Sequence, residues 1–442
     1  MVIADDWSPI AGCYGEAAVP TPRIDGLAQR ATVFDRSFCT SPSCAASRAS
    51  ILTGMQVHQH GQYGHCHGIH GFRTRDDAAT LPQLAQARGV RAELIGKNHT
   101  APASVYPWHD RAGEPATPDG WRRRVGQALA HNGPTFTMVA PHYPHRGGPD
   151  GWNCHAHAEA FGDGPIDPAS VTVPDFLPDL PEVRADLAGY WRAIGRYDAC
   201  VGAALDAIAD QHAEDDTLVI VTTDHAMPFV GAKASCYDTG HRCPLLVARP
   251  GGAAGRCATP VNWLDFFPTI RTWLDLPEPE DGHPRSGRSL LPLLDGAGSS
   301  GGDWAGRTII ASHCFHEVTM ADAYRFIHDG RWKFVQRLQH GLPMPMPSDL
   351  FDSRSWQAIC DGDIQQLGQR RRSDYTHRPA EALYDLDSDP METRDASADH
   401  PAIRDRLRAA LIDDRIRTGD PWLMLDYQRG LVPAQARQAI IT

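Results

Sequence analysis

The sequence predicts an α/β protein with a large mixed, mostly parallel sheet flanked by helices, followed by a smaller α+β domain with an antiparallel sheet. Two observations carry this expectation. Thr135–Ala140 and Thr217–Thr223 are nearly continuous apolar runs, the pattern of strands covered on both faces, and helical patterns alternate with such runs along the chain. After a stretch rich in Pro, Gly and Ser at 277–306, the pattern changes to three short strands, Arg307–Ser312, Ala323–His328 and Lys333–Leu338. The expected domains are 1–290 and 291–442.

The bulk composition narrows the function classes. A chain of 442 residues with 42% hydrophobic content can bury a large core. Its formal net charge of -12 argues against nucleic acid as a partner, so locally clustered basic residues carry more weight. Eleven cysteines, an odd number without a CxxC pair, favour reduced thiols and a cytoplasmic setting. No apolar stretch approaches the roughly 20 residues needed to span a membrane. Met1–Asp6 has no signal-peptide character but opens inside a strand-like run, which leaves a missing upstream segment, and with it a periplasmic location, as the alternative.

The elements follow in order. Val2-Ile3-Ala4 is a short apolar run ending in Asp5-Asp6. Adjacent carboxylates at a strand end repel one another unless a cation lies between them, although an N-cap and turn is their commoner use. Thr21–Ala28 is a Pro-started helix. Ser41-Pro42-Ser43 reads as a turn, and the run after Cys44 as a helix closed by Gly54. Cys44 then sits at a helix N-terminus with Arg48 one turn on, a setting for an anion; a buried cysteine in an Ala/Ser-rich helix fits these residues equally well. Thr80–Gly89 is a capped helix, and the strand Val90–Ile95 delivers Gly96-Lys97-Asn98-His99. Thr135–Ala140 runs into a loop stiffened by Pro141 and Pro144 that carries His142 and His145. Lone Lys or His residues after strands are usually surface decoration.

Apolar spacings of three and four from Ala185 to Gln211 define one long amphipathic helix, read as scaffold. Thr217–Thr223 then ends in Asp224-His225, a second strand end with candidate ligands. Strand ends gather in open α/β sheets, so Asp5, Asp6, Asp224 and His225 can meet. Cys243–Arg249 reads as another strand and Val261–Leu276 as an aromatic-rich helix interrupted by Pro268. Pro401–Arg417 is a closing helix, and there is no internal repeat.

Cys44-Ala45-Ala46-Ser47-Arg48, continued to Leu52-Thr53-Gly54, resembles the C-x-P-S-R-x-x-x-L-T-G signature of the type I sulfatases, with Ala46 where Pro is usual. The segments Ile3–Asp6, Gly96–His99, the loop with His145, and Ala382–Glu392 resemble the same family. The stretches from Ser47 to Phe72, Gly89 to His99, Asp216 to Phe229, His316 to Met320 and Met344 to Asp349 are similar to its sulfamidase branch, which acts on N-sulfoglucosamine. Departures are Ala46, His225 in place of Asn, Lys233 in place of Arg, and Gly147 where a lysosomal relative has a disulfide cysteine.

The resemblance implies an alkaline phosphatase/sulfatase-like fold, the second domain completing the substrate pocket. It implies that Cys44 is oxidised to formylglycine, whose hydrate attacks sulfur. A divalent cation held by Asp5, Asp6, Asp224 and His225 together with residue 44 (Cys44 before its conversion) is implied, with calcium the first expectation and manganese or magnesium made more plausible than usual by His225. Arg48, Lys97 and Lys233 are then expected to stabilise the sulfuryl oxygens, His145 or Lys233 to protonate the leaving atom, and His99 to take the remaining hydroxyl proton. His142, His316 and Glu317 are the expected saccharide contacts. The implied partners are a sulfated saccharide and a formylglycine-generating or radical maturation enzyme, with a homodimer as an option and neither nucleic acid nor membrane. Two alternatives stand beside this: a phosphodiesterase or phosphonate monoester hydrolase, supported by the Asp-His pair, and a catalytically silent anion-binding protein with unconverted Cys44.

Overall fold

In the computed structural model, which describes residues 1–147, 151, 152, 154, 157–296 and 304–432, an eight-stranded sheet forms the larger layer. Its order is Asp110–Ala112, Arg91–Gly96, Thr135–Ala140, Val2–Ala4, Val219–Thr223, Leu245–Ala248, Thr32–Phe34 and Gly255–Cys257. Seven strands run one way, and Leu245–Ala248 runs against both neighbours, with Val221 opposite Leu246 and Val33 opposite Leu246. The expected large, mostly parallel sheet is therefore present, with its mixed character confined to one strand. Apolar side chains cover both faces: Ile3, Leu94 and Ile220 lie in one core cluster, and Val2, Ile95 and Val221 in another.

The long helix spans Pro181–Asp210, starting at a proline whose missing N–H costs nothing in a first turn. The segment expected as one helix from Val261 to Leu276 opens instead with a strand pair, Val261–Asn262, and a 3-10 turn, Trp263–Asp265; the α-helix is Phe266–Trp273. Pro268 consequently lies in the first helical turn, where no intrahelical N–H is required, and interrupts nothing.

A separate four-stranded antiparallel sheet, in the order Ile309–Phe315, Ala321–His328, Trp332–Arg337 and Glu381–Asp385, is packed by the helix Pro401–Arg417 through Leu407 and Leu411. Of the passage expected at 277–306, residues 297–303 lie outside the described residues. Among the described residues, no helix is long and apolar enough to cross a membrane. Cys13, Cys39, Cys44, Cys66, Cys200, Cys236, Cys243, Cys257, Cys314 and Cys360 are free thiols.

Candidate active site

Four consecutive strands of the large sheet, Arg91–Gly96, Thr135–Ala140, Val2–Ala4 and Val219–Thr223, are parallel, so their carboxyl ends share one edge. That edge presents Lys97 and His99, His142 and His145, Asp5 and Asp6, and Asp224 and His225. The Asp224 N–H donates to the Ala4 carbonyl at 3.2 Å, and the Asp6 N–H donates to Asp224 Oδ1 at 3.1 Å, which ties the two acidic ends together. Asp6 adopts a left-handed backbone (φ 72°), uncommon for a residue with a Cβ. From the long helix, the Tyr190 hydroxyl holds it there, donating to the Asp6 carbonyl at 2.9 Å and accepting from the Ser8 N–H at 3.0 Å. Gly96 is required where Lys97 departs: a Cβ there would meet the Ala140 carbonyl oxygen at 2.2 Å.

Cys44 opens the helix Cys44–Thr53, every residue of which is buried and which Gly54 closes in a left-handed conformation (φ 69°). Its sulfur lies 3.2 Å from His225 Nε2 and 4.0 Å from Asp6 Oδ1. The helix is anchored to the second acidic end: the Asp224 carbonyl accepts the Ser47 hydroxyl at 2.5 Å and the Trp263 indole N–H at 2.9 Å.

This donor set fits a divalent cation. Single oxygens of Asp5, Asp6 and Asp224 lie within 4.8 Å of one another, and all three residues are fully buried. Asp5 Oδ1 is buried without a hydrogen-bond partner. Burial, then the Asp5 charge alongside, pushes the Asp224 carboxyl up from its ordinary range, the penalty expected when carboxylates crowd without a cation between them. His225 supplies a nitrogen: its Nδ1 faces the Ala226 carbonyl at 3.0 Å, leaving Nε2 2.9 Å from Asp6 Oδ1. Burial opposes charge on this ring, but Asp6 and Asp224 outweigh it and hold its pKa well above the usual value.

Cations ring the acidic cluster. Arg48 is buried; its Nε donates to Asp224 Oδ2 at 3.0 Å, while Nη1 has no hydrogen-bond partner. Lys97 Nζ donates to Asp5 Oδ2 at 2.5 Å. Lys233 Nζ donates to Asp6 Oδ2 at 2.8 Å and to Asp349 Oδ2 at 2.7 Å, and lies 3.4 Å from His145 Nε2. The Cys44 thiol shows the resulting field: burial pushes its pKa up, but Lys97 and Lys233 outweigh burial and bring it below the ordinary thiol value. A buried sulfur position among three cations suits an anionic group attacked from a helix start.

The structure thus brings together Asp5, Asp6, Cys44, Arg48, Lys97, His145, Asp224, His225 and Lys233. His99, also buried, lies beside them in a group of imidazoles with His65 and His67. Burial, with Lys97 and His65, keeps its pKa well below the usual value. His316 reaches the helix start from the smaller sheet, its Nδ1 3.0 Å from Ser43 Oγ. Glu317 is hydrogen-bonded to Ser348 next door to Asp349. His142 is not part of the constellation: it is exposed and paired with Glu114, because its strand-end loop turns it toward solvent while His145 points inward. The sequence reading missed Asp349, His65 and His67. For Asp349 the signal was the Met-Pro-Met-Pro-Ser-Asp segment; for the histidines it was alternate spacing in Gly64-His65-Cys66-His67.

Comparison with known proteins adds three kinds of likeness. A family model described as sulfatase matches residues 1–113 and 121–276, more than half of the chain. Human (Homo sapiens) N-sulphoglucosamine sulphohydrolase is 33% identical over 463 aligned positions, covering 96% of this chain and 90% of that protein. Two solved structures share the fold at lower identity. A phosphonate monoester hydrolase from Agrobacterium radiobacter gives a TM-score of 0.66 at 18% identity, over 94% of this chain and 95% of that one. A protein in complex with its substrate D-glucosamine-2-N,6-O-disulfate gives 0.64 at 16% identity, over 95% and 97%.

Proposed function

The chain belongs to the sulfatase family, and from that premise we propose that it hydrolyses the sulfate of a sulfated amino sugar, N-sulfoglucosamine of a heparan-type glycan. Sulfatases of this family use a divalent cation and a formylglycine. The observation that carries the reading is the meeting, at one buried point, of a helix-start cysteine, four metal-type donors and three cations. The likeness to human N-sulphoglucosamine sulphohydrolase over most of both chains supports the choice of substrate.

Asp5, Asp6, Asp224 and His225 would hold the cation, calcium in this proposal, which when bound polarises a sulfuryl oxygen and lowers the pKa of a neighbouring hydroxyl. Residue 44, as formylglycine, supplies that hydroxyl. Arg48, through its unpartnered Nη1, and Lys97 and Lys233 bind the sulfuryl oxygens and stabilise the charge that builds there. Lys233 and His145 stand side by side with Asp349 and deliver a proton to the leaving nitrogen. His99, kept neutral at neutral pH, accepts a proton at a ring nitrogen. The region 291–442 acts as a second domain that completes the pocket with His316, Glu317 and Asp349, and an odd number of cysteines without a CxxC pair supports a reducing, cytoplasmic compartment.

Ala46 bears on maturation rather than on the fold. It lies in the first turn of its helix, where either alanine or proline is tolerated, so the maturation enzyme is what reads the difference.

Two measurements test the proposal. Intact mass of protein from its native host reports conversion of Cys44, and an unconverted, inactive protein would leave an anion-binding module. Kinetics on N-sulfoglucosamine, 6-O-sulfoglucosamine and an aryl phosphodiester report the substrate. The expected result is highest kcat/KM on N-sulfoglucosamine; preference for the phosphodiester would install the second reading, which His225 favours.

A further inference from the structure

Beside the acidic cluster lies a group of a different chemistry. His65, His67 and His99 each offer a ring nitrogen within 4.8 Å of the other two. His67 Nδ1 and His99 Nε2 are 2.9 Å apart, and His65 stacks on His99 with ring centroids 4.7 Å apart. A fourth imidazole adjoins them, with His65 Nε2 3.1 Å from His316 Nε2. His65 Nδ1 and His99 Nδ1 are buried without a hydrogen-bond partner. The two contacts between these rings use His67 Nδ1, His99 Nε2, His65 Nε2 and His316 Nε2, and so leave the buried Nδ1 atoms of His65 and His99 unsatisfied.

We infer that His65, His67 and His99 form a second metal site, for a divalent transition ion of the zinc or cobalt type, sharing His99 with the sulfate site. Three imidazoles without a carboxylate select such an ion over calcium or magnesium, whereas the Asp5–Asp6–Asp224 cluster has the opposite preference. Zinc–nitrogen bonds of about 2.0–2.1 Å place tetrahedral donors roughly 3.4 Å apart, so forming the site needs a movement of about 1.5 Å at most, inward for donors at the 4.8 Å limit and slightly apart for the pair His67 Nδ1 and His99 Nε2 at 2.9 Å. His67 is exposed and free to make it; His65 and His99 are buried and already placed. The positive charge of Lys97 opposes a second cation, but Lys97 is ion-paired with Asp5. The open side at His67 leaves a fourth position for water or His316.

The functional consequence rests on the reading of His99 as proton acceptor: an ion holding that nitrogen blocks the proton transfer, so occupancy slows turnover. Binding itself is tested apart from activity. The full chain, in excess calcium to fill the carboxylate site, is titrated with Co2+ and followed by visible absorption and by metal content after desalting. The expected result is one equivalent of tetrahedral-type Co2+, without the near-ultraviolet thiolate band that Co2+ on Cys44 would give. In His67→Gln, which alters an exposed side chain, affinity should fall at least about tenfold; His65→Leu should abolish the band. No uptake, a thiolate band, or unchanged binding in His67→Gln would each overturn the site. If Co2+ binds as expected but turnover is unaffected at full occupancy, the metal site stands and the role assigned to His99 falls.

Discussion

Removing one hydroxyl from the long helix, by Tyr190→Phe, should weaken the cation centre without touching a ligand. Tyr190 is fully buried, and its hydroxyl spans the turn after the first strand, donating to the Asp6 carbonyl and accepting from the Ser8 N–H. Phenylalanine keeps the ring, with its contacts to Trp152 and Phe229, and deletes only the two hydrogen bonds. Each buried polar group left unpaired costs about 1–3 kcal/mol, reduced where the turn relaxes, so a net destabilisation of about 2 kcal/mol is expected. The relaxation is what the cation senses. Asp6 sits at φ 72°, a conformation that an L-residue enters at a cost of roughly 1–2 kcal/mol, and these two bonds restrain it there. Freed from them, the turn drifts toward commoner backbone angles and the Asp6 carboxylate leaves the position shared with Asp224 and His225. Losses of about ten- to a hundredfold in metal affinity accompany removal of such supporting contacts, or about 1.4–2.8 kcal/mol. Calorimetric titration of Ca2+ into chelator-stripped protein measures it, and activity should return toward the parent value at saturating Ca2+. Calcium affinity within twofold of the parent, in a folded Tyr190→Phe protein, would refute the argument that this hydroxyl positions Asp6.

Three further outcomes follow from the same geometry. Cys44→Ala should abolish sulfate release while near-ultraviolet circular dichroism stays unchanged, because alanine fits a small, buried first helical position; residual turnover above background would remove residue 44 from the reaction. Asp349→Asn leaves Lys233 with Asp6 as its only carboxylate partner among the described residues and should lower kcat about ten- to a hundredfold with little change in KM, measured by steady-state kinetics on N-sulfoglucosamine. Stability should fall on acidification: burial, opposed by Asp420 and assisted by Arg325, Arg415 and Arg417, lowers His58 from 6.5 to about 4, so the unfolded chain takes up its proton first. The stabilising contribution is complete above about pH 6.5, is lost as pH falls toward about 4, and amounts to about 3 kcal/mol; between pH 7.5 and 4.5, urea unfolding of the parent should lose about that much more stability than that of a His58→Gln variant, in which the other buried histidines still titrate.

What was legible in the sequence is what short-range chemistry dictates. The helix Cys44–Thr53 could be read to its ends because a turn precedes it and a left-handed Gly54 follows it, both local causes. The acidic and basic strand ends were legible for a related reason: each donor directly follows an apolar run, and parallel strands end on one edge wherever they lie in the chain. The opposite direction of Leu245–Ala248 was not, since a symmetric apolar run carries no sign of its direction. Asp349 was hidden because its meaning comes from Lys233, 116 positions away, and nothing in its own segment requires that partner. His142 and His145 show the limit most sharply. They are three residues apart in one loop, and only the family resemblance ranked His145 ahead of His142; nothing local shows that one turns outward to Glu114 and the other inward to Lys233. The long helix, read as scaffold, is scaffold of a specific kind: Tyr190 fixes the Asp6 turn, and Tyr197 donates toward the Val2 and Thr222 carbonyls at the two strands that carry the carboxylates. Amphipathic periodicity places these tyrosines on the buried face but says nothing about their hydroxyls. A polar atom buried among apolar neighbours needs a partner, and here those partners are the backbone of the metal-binding strands, so the packing of the helix and the geometry of the site are set by the same residues.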